Sequence, residues 1–210
     1  MQLISSTYIA KAAIKKDGVI RHELTEDNWL KECYQKMELD YPKFHKMDNL
    51  SKMAFLSLEL MKTSAVFDTI EDDTVELIFA NTSASQHTDL KFIDSYQHQG
   101  NPSPSLFVYT LPNILTGELA IRNKWYGENT FFVASEFDAS LFTERMHHSA
   151  QNGKKLCLCG WVESKLDEKN MPELEECFLF LVAVNKETSD LAQTNFASDL
   201  IDLYKNNQTK

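Results

Sequence analysis

A chain of 210 residues with 43% apolar content and only 6 glycines and 5 prolines can bury a sizeable core and is neither fibrous nor disordered in composition. Its formal net charge of -10 argues against nucleic acid as a partner, which needs a basic face, and against an anionic membrane surface. An acidic carrier protein would be repelled too, unless a partner chain supplied a basic patch.

The N-terminal stretch has no basic segment followed by an apolar run, so it does not read as a signal peptide. No apolar run approaches the roughly 18 residues that span a bilayer. A soluble, cytoplasmic protein is expected. With no repeat, low-complexity tract or linker, residues 1–210 are expected to form a single domain.

Residues 7–14 read as an extended segment closed by the turn Lys16-Asp17-Gly18. A short helix is expected over 27–36. A largely buried helix follows over 49–62, with Asp48 as its N-cap. Val75 to Ala80 is a continuous apolar run of strand type, and a helix follows around 89–97. Asn101-Pro102-Ser103-Pro104 breaks the chain, after which Leu111, Ile114, Leu115, Leu119 and Ile121 predict a helix over 110–121. Residues 130–134 read as a short strand, 135–149 as a helix, and 155–162 and 177–184 as two strands joined by a polar loop over 163–175. Leu191, Phe196, Leu200 and Leu203 give a final helix, over 189–204, its apolar side.

Strands alternating with helices imply a parallel sheet covered on both faces. The last two strands have no helix between them, so they pair as a hairpin and make the sheet mixed.

Four cysteines are present, none in a C-x-x-C pair. Cys157 and Cys159, two apart on a strand, share one face and read as buried core residues. No second pair or nearby histidine completes a zinc site, so neither metal nor cofactor is expected. His147 and His148 are adjacent on a helix and face about 100° apart, which does not make a metal pair. His87 and Asp89 read as helix-opening caps. Ser135 lacks a G-x-S-x-G elbow. The acidic stretches 71–73 and 168–176 read as a solvated turn and an exposed loop.

Several segments resemble the ketoacyl synthases of fatty acid and polyketide assembly. Asp48-Asn49-Leu50-Ser51-Lys52-Met53-Ala54 is similar to an early helix of that family. Phe79-Ala80-Asn81-Thr82-Ser83-Ala84-Ser85 is similar to its second strand and following loop. The stretch Pro104-Ser105-Leu106-Phe107-Val108-Tyr109-Thr110-Leu111-Pro112-Asn113, continuing to Gly117-Glu118-Leu119-Ala120-Ile121, is similar to the segment preceding the family's nucleophile. Lys155 to Gly160 resembles the strand beyond it.

The resemblance covers the family's N-terminal half. It implies a thiolase-like half-fold of α/β class: a five-stranded mixed sheet, its last strand antiparallel, with helices on both faces. Counting nine residues from Gly127 places Glu136 where the family has its catalytic cysteine, at the start of a helix whose free amides would favour a carboxylate. A carboxylate cannot hold an acyl chain as a thioester, and the family's second half supplies the two histidines and the Gly-rich loop.

The resemblance therefore implies a non-condensing subunit of chain-length-factor type. Its partner would be a catalytic ketosynthase or a second copy, with acyl carrier protein reached through the partner. Leu106, Tyr109, Leu111, Asn113, Ile114 and Leu115 would lie at an acyl tunnel or dimer interface, although an apolar helical stripe is equally the mark of ordinary core packing. The other readings are an enzyme that decarboxylates malonyl or acyl thioesters through Glu136, and an acyl-binding scaffold. The final helix is a candidate cover for the face of the helix after Glu136.

Overall fold

The computed structural model describes residues 1–63, 67, 70, 73–187 and 189–209. Glu71 and Asp72 of the expected acidic turn lie outside them, as does the side chain of Leu191.

The expected single extended segment at the N-terminus is a three-stranded meander. β1 (Gln2–Ala10) reverses into β2 (Ala13–Lys16), which reverses into β3 (Val19–Glu23). The second reversal is the two-residue loop Asp17-Gly18, both residues at positive φ (52° and 75°), the geometry that matches strand twist. Asp17 Oδ1 accepts from Ser5 Oγ at 2.9 Å and from the Ser6 amide at 2.8 Å, fastening the turn back onto β1.

The helix α1 (Trp29–Lys36) is capped by Asn28 and precedes a 3₁₀ turn, Pro42–Lys46. In α2 (Asn49–Met61), Asp48 Oδ1 accepts from the Ser51 amide at 3.0 Å, as the sequence predicts. Every residue of β4 (Val75–Asn81) is buried. Next come α3 (Gln86–Gln97), α4 (Pro104–Val108) and α5 (Ile114–Asn123). The predicted helix over 110–121 therefore starts later, at Ile114, and runs to Asn123. Pro112 has no amide to donate to a preceding turn and disfavours helical geometry at Leu111, so the helix does not reach back to residue 110.

β5 (Asn129–Val133) leads to α6 (Ala139–Gln151), which starts later than residue 135 because Asp138 is its cap. β6 (Leu156–Leu166) and β7 (Pro172–Ala183) form the expected hairpin but run well into the expected polar loop. α7 (Asp190–Gln208), capped by Ser189, closes the chain.

The sheet has seven strands in the order β3-β2-β1-β7-β6-β4-β5, not five. The extra pair, β2 and β3, extends the sheet beyond β1. β4, β5 and β6 are mutually parallel, and β7 runs antiparallel to both β6 and β1. The class is α/β with a mixed sheet and helices on both faces, as expected.

Strand alternation sorts the core into two layers. Leu77, Phe79, Leu158, Val162, Cys177 and Leu179 pack beneath α1, α2 and α5. Ile78, Cys157, Cys159, Trp161, Phe178 and Phe180 pack beneath α6 and α7, so Cys157 and Cys159 share a face as predicted. The final helix does cover α6: Phe196, Leu200, Leu203 and Tyr204 close this layer.

Two glycines are required by contact. A Cβ on Gly160 would stand 2.3 Å from the Phe79 ring, and one on Gly127 would stand 2.1 Å from the Val75 carbonyl oxygen. Gly127 thus lets the chain cross the start of β4 closely enough for β5 to pair beside it. Among the described residues, no helix is long and apolar enough to cross a membrane.

Candidate functional site

In open α/β sheets, ligands sit beyond the carboxyl ends of the parallel strands. Here β4 ends in the Thr82–Ser83 loop, β5 ends just before Ser135 and Glu136, and β6 delivers Glu163 beside them. A half-open cavity of about 520 Å³ lies at these ends, and Glu136, Glu163, Trp161, Tyr204 and Lys205 are among the residues lining it.

Two buried carboxylates organise this region, and the β6–β7 register sets Glu163 opposite Glu176 on the face beneath α7. Like charges opposed across a ladder repel, so each needs its own donors. Glu163 accepts from the Thr82 amide at 2.8 Å, from Thr82 Oγ1 at 2.6 Å and from Ser83 Oγ. Glu176 accepts from Tyr8 Oη at 2.6 Å, from Tyr204 Oη and from Gln208 Nε2 at 3.2 Å. Burial, then the charge of Glu176, holds both phenols above their ordinary pKa, so they stay neutral donors. Both carboxylates are committed to tying α7, β1 and the loop after β4 to the hairpin. The sequence reading placed Glu163 in a polar loop and Glu175 and Glu176 in an exposed stretch of it. The available signal was the alternation through Val162, Ser164 and Leu166, which continues the strand.

Glu136 is exposed in the bend between β5 and α6 and lines the cavity. It does not cap α6. Asp138 does so, accepting from the Ser140 amide at 2.8 Å and the Leu141 amide at 3.3 Å, and it takes the first-turn donors expected to favour a charge on Glu136. The tunnel or interface candidates are dispersed. Tyr109 and Leu115 are buried in the layer under α2, and Ile114 packs against it. The Tyr109 hydroxyl donates to Glu118, a carboxylate also paired with Lys43 at 2.7 Å, which is a structural role. Leu106 is half-buried, while Asn113 and Leu111 are exposed, Leu111 by 58%.

All four cysteines are free and buried, and none lines the cavity. Burial pushes the thiols of Cys33, Cys157 and Cys177 up to about 12 and raises that of Cys159 well above its ordinary value, which leaves them protonated and inert. Among the described residues no group of three His, Cys, Asp or Glu side chains could hold a metal ion. His147 lies within reach of Gln193 Nε2 on α7 at 3.3 Å, and His148 of Asn152 Nδ2 at 3.3 Å. His87 is not a cap. Its Nδ1 lies 2.9 Å from Ser164 Oγ across the sheet edge.

Comparison with solved structures shows which fold this arrangement belongs to. A chain of the complex between the ketosynthase ApeO and its chain length factor ApeC from Xenorhabdus doucetiae superposes with a TM-score of 0.59 at 15% identity, covering 90% of this chain and 82% of that one. The ishigamide ketosynthase/chain length factor gives 0.60 at 17%, covering 90% and 63%. The type II polyketide ketosynthase AntDE, in complex with its acyl-carrier protein AntF, gives 0.57 at 14%, covering 87% and 63%. The chain has a ketosynthase-like, thiolase-type fold. No protein-family model matches the sequence, and no curated protein does. In this ketosynthase-like frame, the bend after β5 that carries Glu136 and the end of β6 that carries Glu163 meet at one cavity, while half-buried Leu106 is on α4 and exposed Leu111 and Asn113 lie in the turn before α5.

Proposed function

We propose that this chain is a non-condensing, chain-length-factor-type subunit that pairs with a catalytic ketosynthase in polyketide, fatty acid or aryl-polyene assembly. The observation that carries this reading is the content of the cavity at the strand ends of a ketosynthase-like fold: carboxylates line it, and every thiol is buried elsewhere. Condensation requires a thiolate to hold the acyl chain and donors to assist decarboxylation. Glu163 is saturated by hydroxyl and amide donors, and Glu136 stands exposed in the lining of the same cavity.

Support for pairing comes from two further features. The fold neighbours include ketosynthases joined to a chain length factor or an acyl carrier protein. Phe107, Val108 and Leu111 are also exposed, and Phe107 packs against Phe92 of α3, which in turn meets exposed Tyr96, apolar surface of the kind that protein partners cover. Carrier protein would reach the pair through the ketosynthase, since this chain's own charge is -10.

The test is to assay the purified chain alone for condensation and for malonyl-thioester decarboxylation. No turnover is expected from the chain, and none is expected to change in Glu136→Ala. A turnover that disappears in Glu136→Ala would replace this reading with that of a decarboxylating enzyme. An acyl chain retained through purification, with no ketosynthase binding, would favour an acyl-binding scaffold.

A further inference from the structure

The last turns of α7 stand between two cavities on the same face of the sheet. One is the strand-end cavity of about 520 Å³, and the other, of about 390 Å³, opens toward β2 and β3. The register carries one row of positions beneath both. Glu163 pairs with Glu176, Glu176 with Ala10, Ala10 with Ala13 and Ala13 with Glu23, so the row faces α7 throughout. The adjacent row on that face is Trp161, Phe178, Tyr8, Lys15 and Ile20.

The two halves of this trough differ in chemistry. Glu136, Lys165 and Lys205 line the strand-end half. Ala10, Ala12, Ala13, Ile20 and Leu24 line the other, where the alanine methyls leave open the volume that larger side chains would fill. The backbone of the roof is fixed. Lys15 Nζ donates to the carbonyl oxygens of Asn207 and Thr209, each at 2.7 Å, where a cation also suits the negative end of the helix.

What separates the halves is a partition around Glu176. Tyr8 bounds the alanine-lined half and Tyr204 the strand-end half, and both phenols donate to Glu176. Gln208 lines both cavities. Its side chain is the loosest part of the partition: Nε2 stands 3.2 and 3.4 Å from the two Glu176 oxygens, against 2.6 Å for the Tyr8 hydroxyl, and the residue is exposed. With the Gln208 side chain turned out to water, Glu176 keeps both phenols, so opening costs little more than one long hydrogen bond.

We infer that the two cavities are one bipartite site for an elongated amphiphile, with the Gln208 side chain as its gate. The hydrocarbon chain lies over Ala10 and Ala13, and an uncharged polar head sits in the strand-end half. The carboxylates of Glu136, Glu163 and Glu176 along the row disfavour an anionic head. Each cavity falls within the size range of sites for small organic ligands. The inference concerns the chain alone and holds whether or not the chain pairs with a ketosynthase.

Titration calorimetry of the whole chain with monohexanoylglycerol and monodecanoylglycerol, each below its micelle-forming concentration, tests it. One-to-one binding is expected, tighter by up to about fourfold for each added methylene. Ala13→Leu, which fills the apolar half, should remove that gain and weaken the decanoyl probe about tenfold or more. Ile20→Ser, at an exposed position of β3, gives a loss in the same direction should Ala13→Leu fold poorly by circular dichroism. Gln208→Ala should bind at least as tightly and associate faster in stopped-flow fluorescence. Nuclear Overhauser contacts should join the chain end of the probe to Ala13 and its glycerol to Tyr204. No binding, no gain with chain length, contacts confined to one half, or an association rate unchanged in Gln208→Ala overturns the inference.

Discussion

The β6–β7 hairpin presents acidic residues on both faces, and the two faces treat them differently. Beneath α7, Glu163 and Glu176 are fully enclosed, each ringed by hydroxyl and amide donors. On the α2 face, Glu175 is only half-buried, accepts from Trp29 and Asn49, and opens with Lys52 and His87 onto a cavity of about 600 Å³. On the first face both carboxylates are spent on hydroxyl and amide donors and act as a clamp. On the second the carboxylate stands beside open volume. A buried carboxylate near strand ends is therefore no sign of chemistry by itself; what decides is whether its donors and acceptors are already matched.

Substitutions can break this contrast. Glu176→Ala strands the buried Tyr8 hydroxyl and removes the acceptor shared by Tyr204 and Gln208, and should cost about 3 kcal/mol, read as a shift in denaturant midpoint. A loss below about 1 kcal/mol would mean that the clamp is not structural. Glu163→Ala frees the Thr82–Ser83 loop from one side only and should cost about 2 kcal/mol. Glu175→Ala should cost about 1 kcal/mol, because water from the open cavity can serve Trp29 and Asn49. An order of effects with Glu175 above Glu176 would invert the contrast. Glu136→Ala, at an exposed bend, should change stability by no more than about 0.5 kcal/mol.

The thiols sharpen the same point. With Cys33, Cys157 and Cys177 pushed up to about 12 and Cys159 also raised well above its ordinary value, the folded chain should resist alkylation at pH 8, and all four thiols should react once it is unfolded. Mass spectrometry of the labelled protein counts them. A single fast-labelling native cysteine would reveal a reactive site that the burial pattern denies.

What was legible in the sequence was local. The Asp48 cap, the apolar run of β4, the hairpin pairing of the last two strands and the apolar side of α7 each rest on neighbours within a few positions. The two extra strands were missed because the first reversal, at Lys11-Ala12, contains no glycine, proline or asparagine to mark it. The break at Pro112 was readable from the proline itself, but the apolar spacing across it suggested continuity. The inward ends of β6 and β7 were hidden because Glu163, Glu175 and Glu176 look solvated until tyrosines from β1 and α7, a tryptophan from α1 and hydroxyls after β4 reach them. The α2-face cavity draws Lys52, His87 and Glu175 from three separated elements, so no spacing rule could have joined them. Glu136 was expected at the start of a helix but lies in the bend before it, because the cap, Asp138, comes two residues further on.

The central claim is that this ketosynthase-like chain works as a partner and not alone. Native mass spectrometry of the purified protein, by itself and mixed with a full-length ketosynthase from the same cell, tests it most directly. A stable one-to-one complex is expected, formed equally well by Glu136→Ala and weakened by charged substitutions at Phe107 and Leu111. A monomer or homodimer indifferent to every ketosynthase would contradict it.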